Sequence, residues 1–184
     1  MKHLLHKTII VTCLTFFLIN YIPAQSDVNE KGEPVYKDFK TEHIWDAKVT
    51  IAGGISLGNS KHGGRNIIPI TGGSFEGANI KGEVLPYGAD WQLVRPDGDV
   101  ELNAKYLLKT NDGVIIQVIN KVLIHNGVTD GKPESYIKSV IDLEAPTGSP
   151  YEYLNHAIFL GTLTMPALKP GETPYVVIGV YKVL

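Results

Sequence analysis

RNIIPITGGSFEGANIKGEVLPYGADWQLVRPDGDVELNAKYLLKTND, residues 65–112, decides the fold. Within it, Val100, Leu102, Ala104, Tyr106 and Leu108 face one way, with Glu101, Asn103, Lys105 and Lys109 opposite. A period of two is the signature of a strand with one face in the core and one in solvent. Pro96-Asp97-Gly98 supplies a turn before it, and Asn111-Asp112-Gly113 a hairpin turn of the kind that needs positive φ after it. Asp90 to Arg95 reads as a short strand. Gly72-Gly73 reads as a bend, and Gly77 and Gly82 interrupt Ser74–Leu85 as glycines do at bulges and barrel corners.

The same grammar extends in both directions. Upstream, Trp45, Ala47, Val49 and Ile51 share one face of a strand, and Asp46, Lys48 and Thr50 the other. Residues 58–64 read as a surface loop, and Asn66 to Ile70 as a strand whose Pro69 belongs at an edge or bulge because it has no N–H to donate. Downstream, Val114 to Ile124 is nearly continuously apolar and β-branched, which marks a central strand. Asn126 to Pro133 reads as a polar loop. Tyr136–Glu144, Ala157–Met165 and Tyr175–Val183 supply further strands, with one helical turn around Tyr151–His156. The 19 glycines and 11 prolines punctuate short elements, with no helical alternation to build a parallel sheet. The expectation is all-β: one antiparallel barrel of about nine or ten strands over residues 41–184, enclosing a central cavity.

The N-terminal residues read differently. Lys2 and Lys7 precede an apolar run from Ile9 to Ile22, and Pro23-Ala24 offers a small-residue exit, so 1–24 reads as a cleaved signal peptide. The competing reading is a retained anchor, against which Thr8, Thr12, Thr15 and Asn20 dilute the run and no basic stop-transfer group follows. Residues 25–40 are polar and aperiodic, a flexible tail. Cleavage removes Cys13 and leaves a thiol-free chain, exported to a periplasmic or extracellular setting, without membrane insertion. It also takes the formal charge from −2 to about −4. No basic block or basic–aromatic stripe is present, so nucleic acid is not an expected partner.

Three segments carry a family likeness: GRNIIPITGGSFEG at 64–77, KGEVLPYGADWQLVRPDG at 81–98 and KYLLKTNDG at 105–113, with a weaker trace at Tyr136 and TGSPYEYLN, 147–155. In these the chain resembles the family catalogued as domain of unknown function 3237. The resemblance implies a calycin- or lipocalin-like, fatty-acid-binding-like barrel with a central cavity, and no particular activity. Lys105 stands where that family commonly has arginine, and YIKSVIDLE, 136–144, lacks its usual arginine and phenylalanine.

Candidate chemistry centres on Asp90-Trp91. A carboxylate beside an indole after a glycine bend is either an acid of raised pKa or a turn-fixing group beside a core tryptophan. Tyr106 sits on the apolar face of its strand, where its hydroxyl orients a ligand or makes a core hydrogen bond. Tyr136 and Glu144 share a face with Lys138, Val140 and Asp142, and would join Asp90 only if that face lines the cavity. Tyr153 and Asn155 lie near an expected pocket mouth, and Arg65 offers a bidentate clamp for a carboxylate. The ligand-binding candidates are therefore Arg65, Asp90, Trp91 and Tyr106 within residues 65–112, with Tyr136, Glu144, Tyr153 and Asn155 beyond them.

Other chemistries find no pattern. His43, His62, His125 and His156 show no paired metal-ligand spacing, so no metal is expected. The phosphate-loop and dinucleotide fingerprints are absent, and Glu76 after Ser74 spoils a nucleophile elbow. No cofactor is expected. The leading expectation is a binder of a small, partly apolar organic molecule. The alternatives are a cofactor-independent lyase, isomerase or hydratase using Asp90 or Glu144 as base and Tyr106 as acid, and a structural module forming a homodimer through an exposed barrel face.

Overall fold

The computed structural model describes Lys31 and residues 38–184, so the signal-like stretch 1–24 and most of the polar tail lie outside the described residues. Ten strands follow in chain order. They are β1 (Thr41–Ile51), β2 (Ile55–Ser60), β3 (Gly63–Glu76), β4 (Lys81–Val84), β5 (Gly88–Val94), β6 (Val100–Thr110), β7 (Ile115–Thr129), β8 (Lys132–Glu144), β9 (Phe159–Thr164) and β10 (Tyr175–Val183). All pair antiparallel with their sheet neighbours in the order β1-β10-β9-β8-β7-β6-β4-β3, and β1 pairs back onto β3 to close the ring. Two strands lie off this eight-membered ring. β2 continues the course of β1 along β3, and β5 continues that of β4 between β3 and β6.

Two residues explain how β3 serves both ends. Pro69 stands where β1 gives way to β2, and its carbonyl accepts the Ala52 N–H at 3.0 Å. Gly73 turns the strand at φ +135°, and a Cβ there would meet the Lys48 carbonyl oxygen at 2.0 Å. Only glycine allows both the conformation and the close approach. Asn66–Ile70 and Ser74–Glu76 are thus one bent strand rather than two.

Two expected loops are strands. Residues 58–60 belong to β2, every residue of which is exposed, so no alternation betrays it. Asn126–Pro133 is the tip of the long β7–β8 hairpin, whose register runs out to Thr129 and Lys132.

The barrel interior has two unlike halves. At one end Trp45, Phe75, Leu108, Ile116, Leu154 and Phe159 are fully buried, with the Trp45 and Phe75 rings edge to face at 5.7 Å. Leu154 comes from a 3-10 turn at Glu152–His156 that plugs this end. The other end, at the C-terminal part of β1 and the N-terminal parts of β6 and β10, is not filled.

Candidate functional site

The unfilled half is a cavity of ≈ 200 Å³. Its wall is aliphatic, including Val49, Ile70, Leu102, Leu163, Val176 and Ile178. Four polar side chains interrupt it: Asp90 and Gln92 on β5, Tyr106 on β6 and Asn120 on β7. Strand periodicity puts them there. Asp90 and Gln92 are two apart on β5, and Asn120 follows Ile116 and Val118 on the inward face of β7.

Cross-strand register sets their relation. Asp90 pairs with Ala104, and Ala104 with Asn120, so the carboxylate and the amide lie in one row separated by a methyl group. Strands are spaced about 4.8 Å apart, which puts the two backbones about 10 Å from each other. Tyr106 stands one inward position along β6 from Ala104. Its backbone is crowded by Gly88, where a Cβ would meet the Tyr106 Cβ at 2.5 Å, so glycine at the start of β5 lets the tyrosine seat.

Asp90 does two things. Its Oδ1 accepts the Asn103 backbone N–H at 2.9 Å, and its Oδ2 accepts the Gln92 Nε2–H at 2.8 Å. The first bond sits where β5 and β6 interrupt their pairing, since Trp91 and Gln92 have no ladder partners in Leu102 and Asn103. Burial raises the Asp90 carboxyl above its ordinary 3.8, against the smaller lowering effect of these two hydrogen bonds. Burial also pushes the Tyr106 phenol up, so it is a neutral O–H at physiological pH. The turn-fixing alternative is thus partly realised, on β6 instead of on the Gly88 bend, and in the same residue that carries the perturbed acid.

That pKa gives a prediction with a definite sign. A carboxyl whose folded pKa is raised binds protons more tightly when native, so its stabilising contribution is greatest below pH 3.8 and is lost as pH rises through the folded value. Asp90→Asn does not titrate and keeps an oxygen for the Asn103 N–H. The stability of the variant relative to wild type should therefore climb as pH rises from below 3.8 to neutrality. Paired chemical denaturation across that range reads it directly, and a flat or falling difference contradicts the assignment.

The other sequence candidates lie elsewhere. Trp91 points out of the barrel and is 53% exposed, filling neither core nor cavity. With Arg65, Leu93, Arg95, Glu101 and Lys121 it forms an outer cleft beside the interrupted ladder. Tyr136, 50% exposed, and Glu144 stand on the outer face of β8, because Ser139, Ile141 and Leu143 take the inner one. Glu144 there accepts a hydrogen bond from Gln117 Nε2 at 2.7 Å. The condition under which they would join Asp90 is not met.

Tyr153 and Asn155 sit at the plugged end, opposite the cavity. Asn155 is fully engaged, its Oδ1 accepting the Ala145 N–H at 2.7 Å and its Nδ2 donating to the Ala145 carbonyl at 2.8 Å. Its amide imitates a β-strand partner and ties the 145–155 connection shut. Asn155→Ala leaves the buried Ala145 N–H without a partner and should cost about 1–3 kcal/mol. Denaturant titration checks this.

Gln92 and Asn120 are the two site residues that sequence reasoning missed. Both had a signal: Gln92 shares a face with Asp90, and Asn120 interrupts the apolar inward row Ile116, Val118, Val122 and Ile124. Asn120 is 1% exposed and its Oδ1 has no hydrogen-bond partner. Among the described residues no group of three His, Cys, Asp or Glu side chains converges as metal ligands.

These features define a closed antiparallel β-barrel, packed at one end and hollow at the other, with four polar side chains lining the hollow. The chain belongs to the family described as "Protein of unknown function (DUF3237)", whose model matches residues 39–183. A UPF0311 protein of Rhodopseudomonas palustris is 34% identical over 156 residues, covering 79% of this chain and 97% of the relative. A UPF0311 protein of Clostridium acetobutylicum is 37% identical over 105 residues, covering 56% of this chain and 63% of the relative. Among solved structures, a "beta-barrel like protein" from Acinetobacter baumannii superposes with a TM-score of 0.70 at 31% identity, over 82% of this chain and 99% of that one. An enzyme from Penicillium herquei shares the fold at 20% identity and a TM-score of 0.62, over 82% and 98%.

Proposed function

We propose that this protein binds a small, partly apolar organic molecule in the hollow half of its barrel. The observation that carries the reading is the arrangement of the cavity itself: an aliphatic wall with four polar side chains gathered on three adjacent strands. Binding sites for small molecules are mostly apolar, with a few placed polar groups that fix orientation. At ≈ 200 Å³ the space is below the roughly 300–1,000 Å³ of sites for drug-sized ligands, so the ligand is compact. The signal-like N-terminus supports action after export.

A second reading, cofactor-independent acid–base catalysis, is favoured by Asp90. A carboxyl raised by burial and held by two hydrogen bonds, near a neutral tyrosine in the same cavity, is the pairing that proton transfer needs. The likeness to a fungal enzyme is a likeness of fold and adds no activity to this chain.

A thermal-shift series with compact hydrocarbons, alcohols, acids and amines tests the binding reading. At a hundredfold excess over Kd a ligand contributes about 2.7 kcal/mol and raises Tm by several degrees. If no compact compound shifts Tm, the reading fails. A compound that binds and is consumed, with turnover lost in Asp90→Asn while binding persists, selects catalysis.

A further inference from the structure

We infer that the cavity is built for a neutral, hydroxyl-bearing ligand and excludes the carboxylates that barrels of this shape suggest; this rests on the binding reading above. Two observations carry it. The first is what the cavity lacks: among the described residues its lining contains no lysine, arginine or histidine. The cations nearest the same stretch, Arg65, Arg95 and Lys121, line the outer cleft instead. A carboxylate entering the cavity would lose its hydration, find no counter-charge and lie close to Asp90. That is the arrangement in which burying a charge is most costly.

The second observation is Asn120. Its amide is enclosed by the cavity wall, and its Oδ1 makes no hydrogen bond. An unsatisfied buried polar atom is destabilising, and a ligand that supplies its partner relieves that cost. A hydroxyl suits this amide best, because it can donate to Oδ1 or accept from Nδ2 whichever way the amide is turned. The Ala104 methyl between Asn120 and Asp90 leaves the row open for such a group, and Tyr106 in the same lining carries a second O–H. An ammonium group is a poorer match. It is a strongly hydrated donor that cannot accept from Nδ2, and at Asp90 it would lie beside the Gln92 amide and the Asn103 N–H, whose hydrogens already point at that carboxylate.

The test uses four probes of nearly one shape: toluene, p-cresol, 4-methylbenzoate and 4-methylbenzylamine, titrated by calorimetry into wild type and Asn120→Leu. Wild type should bind p-cresol at least about fivefold tighter than toluene, as one newly satisfied buried group allows. It should bind the benzoate and the amine more weakly than toluene. Asn120→Leu should bind toluene while losing the preference for p-cresol. Should Asn120→Leu not fold, Tyr106→Phe and Asn120→Val replace it, with the same loss of preference expected from the valine variant. Equal binding of toluene and p-cresol, or tightest binding of the benzoate or the amine, overturns the inference and leaves the cavity a binding site. Binding by none of the four overturns the inference, and the binding reading falls with it only if the wider thermal-shift series is silent too.

Discussion

Trp45→Ala should cost about 3–5 kcal/mol, the largest single loss of stability expected among the described residues. The indole is 1% exposed and packs edge to face on Phe75 at the plugged end of the barrel. It comes from β1, which pairs with both β10 and β3 and so closes the ring. Removing it opens a hole among side chains whose backbones are fixed by hydrogen bonds on both sides, so the site cannot collapse to fill it. Denaturant unfolding measures the loss. A cost below about 1 kcal/mol would mean that this half is not the packed core described.

Two alanines provide the second large contrast. Ala47 and Ala104 are both buried on inward faces, but Ala47 lies in the packed half and Ala104 in the cavity wall. Ala47→Leu inserts carbon into space already occupied and should cost about 1–3 kcal/mol. Ala104→Leu places the same atoms in the hollow row between Asp90 and Asn120. It should hold or raise stability, by up to about 2 kcal/mol as cavity-filling changes do. It should also abolish measurable binding of p-cresol. Opposite signs for one chemical change report directly on which half is full. If both variants lose stability equally, the hollow half is not a preformed cavity.

The strand alternation of Val100–Leu108 was readable because its faces differ so sharply, and the structure puts Leu102, Ala104, Tyr106 and Leu108 inside as that pattern requires. β8 carries the same period, and the candidates Tyr136 and Glu144 lie on its less apolar face. Ser139, Ile141 and Leu143 go inward and the charged set with Tyr136 and Glu144 stays in solvent, as the ordinary cost of burying charges dictates. Trp91 misled for the opposite reason. A tryptophan suggests a core, but it alternates with Asp90 and Gln92, and only one face of a strand can enter the barrel.

What the sequence could not carry is which end of the barrel is hollow. That depends on the ring closing between β1 and β3, and on the 3-10 turn delivering Leu154 to one mouth only. Both are contacts between residues far apart in the chain. Tyr153 and Asn155, expected at a pocket mouth, are at the sealed one for this reason, and the Asn155 amide serves the seal.

The most direct test of the central claim is a methyl NMR titration of isotope-labelled protein with p-cresol. Saturable shifts should appear at Ile70, Leu163, Val176 and Ile178 in the hollow half, with Ile116, Leu143 and Leu154 at the packed end unmoved. Saturable shifts confined to Leu93 and Leu123 would place binding in the outer cleft and contradict the account.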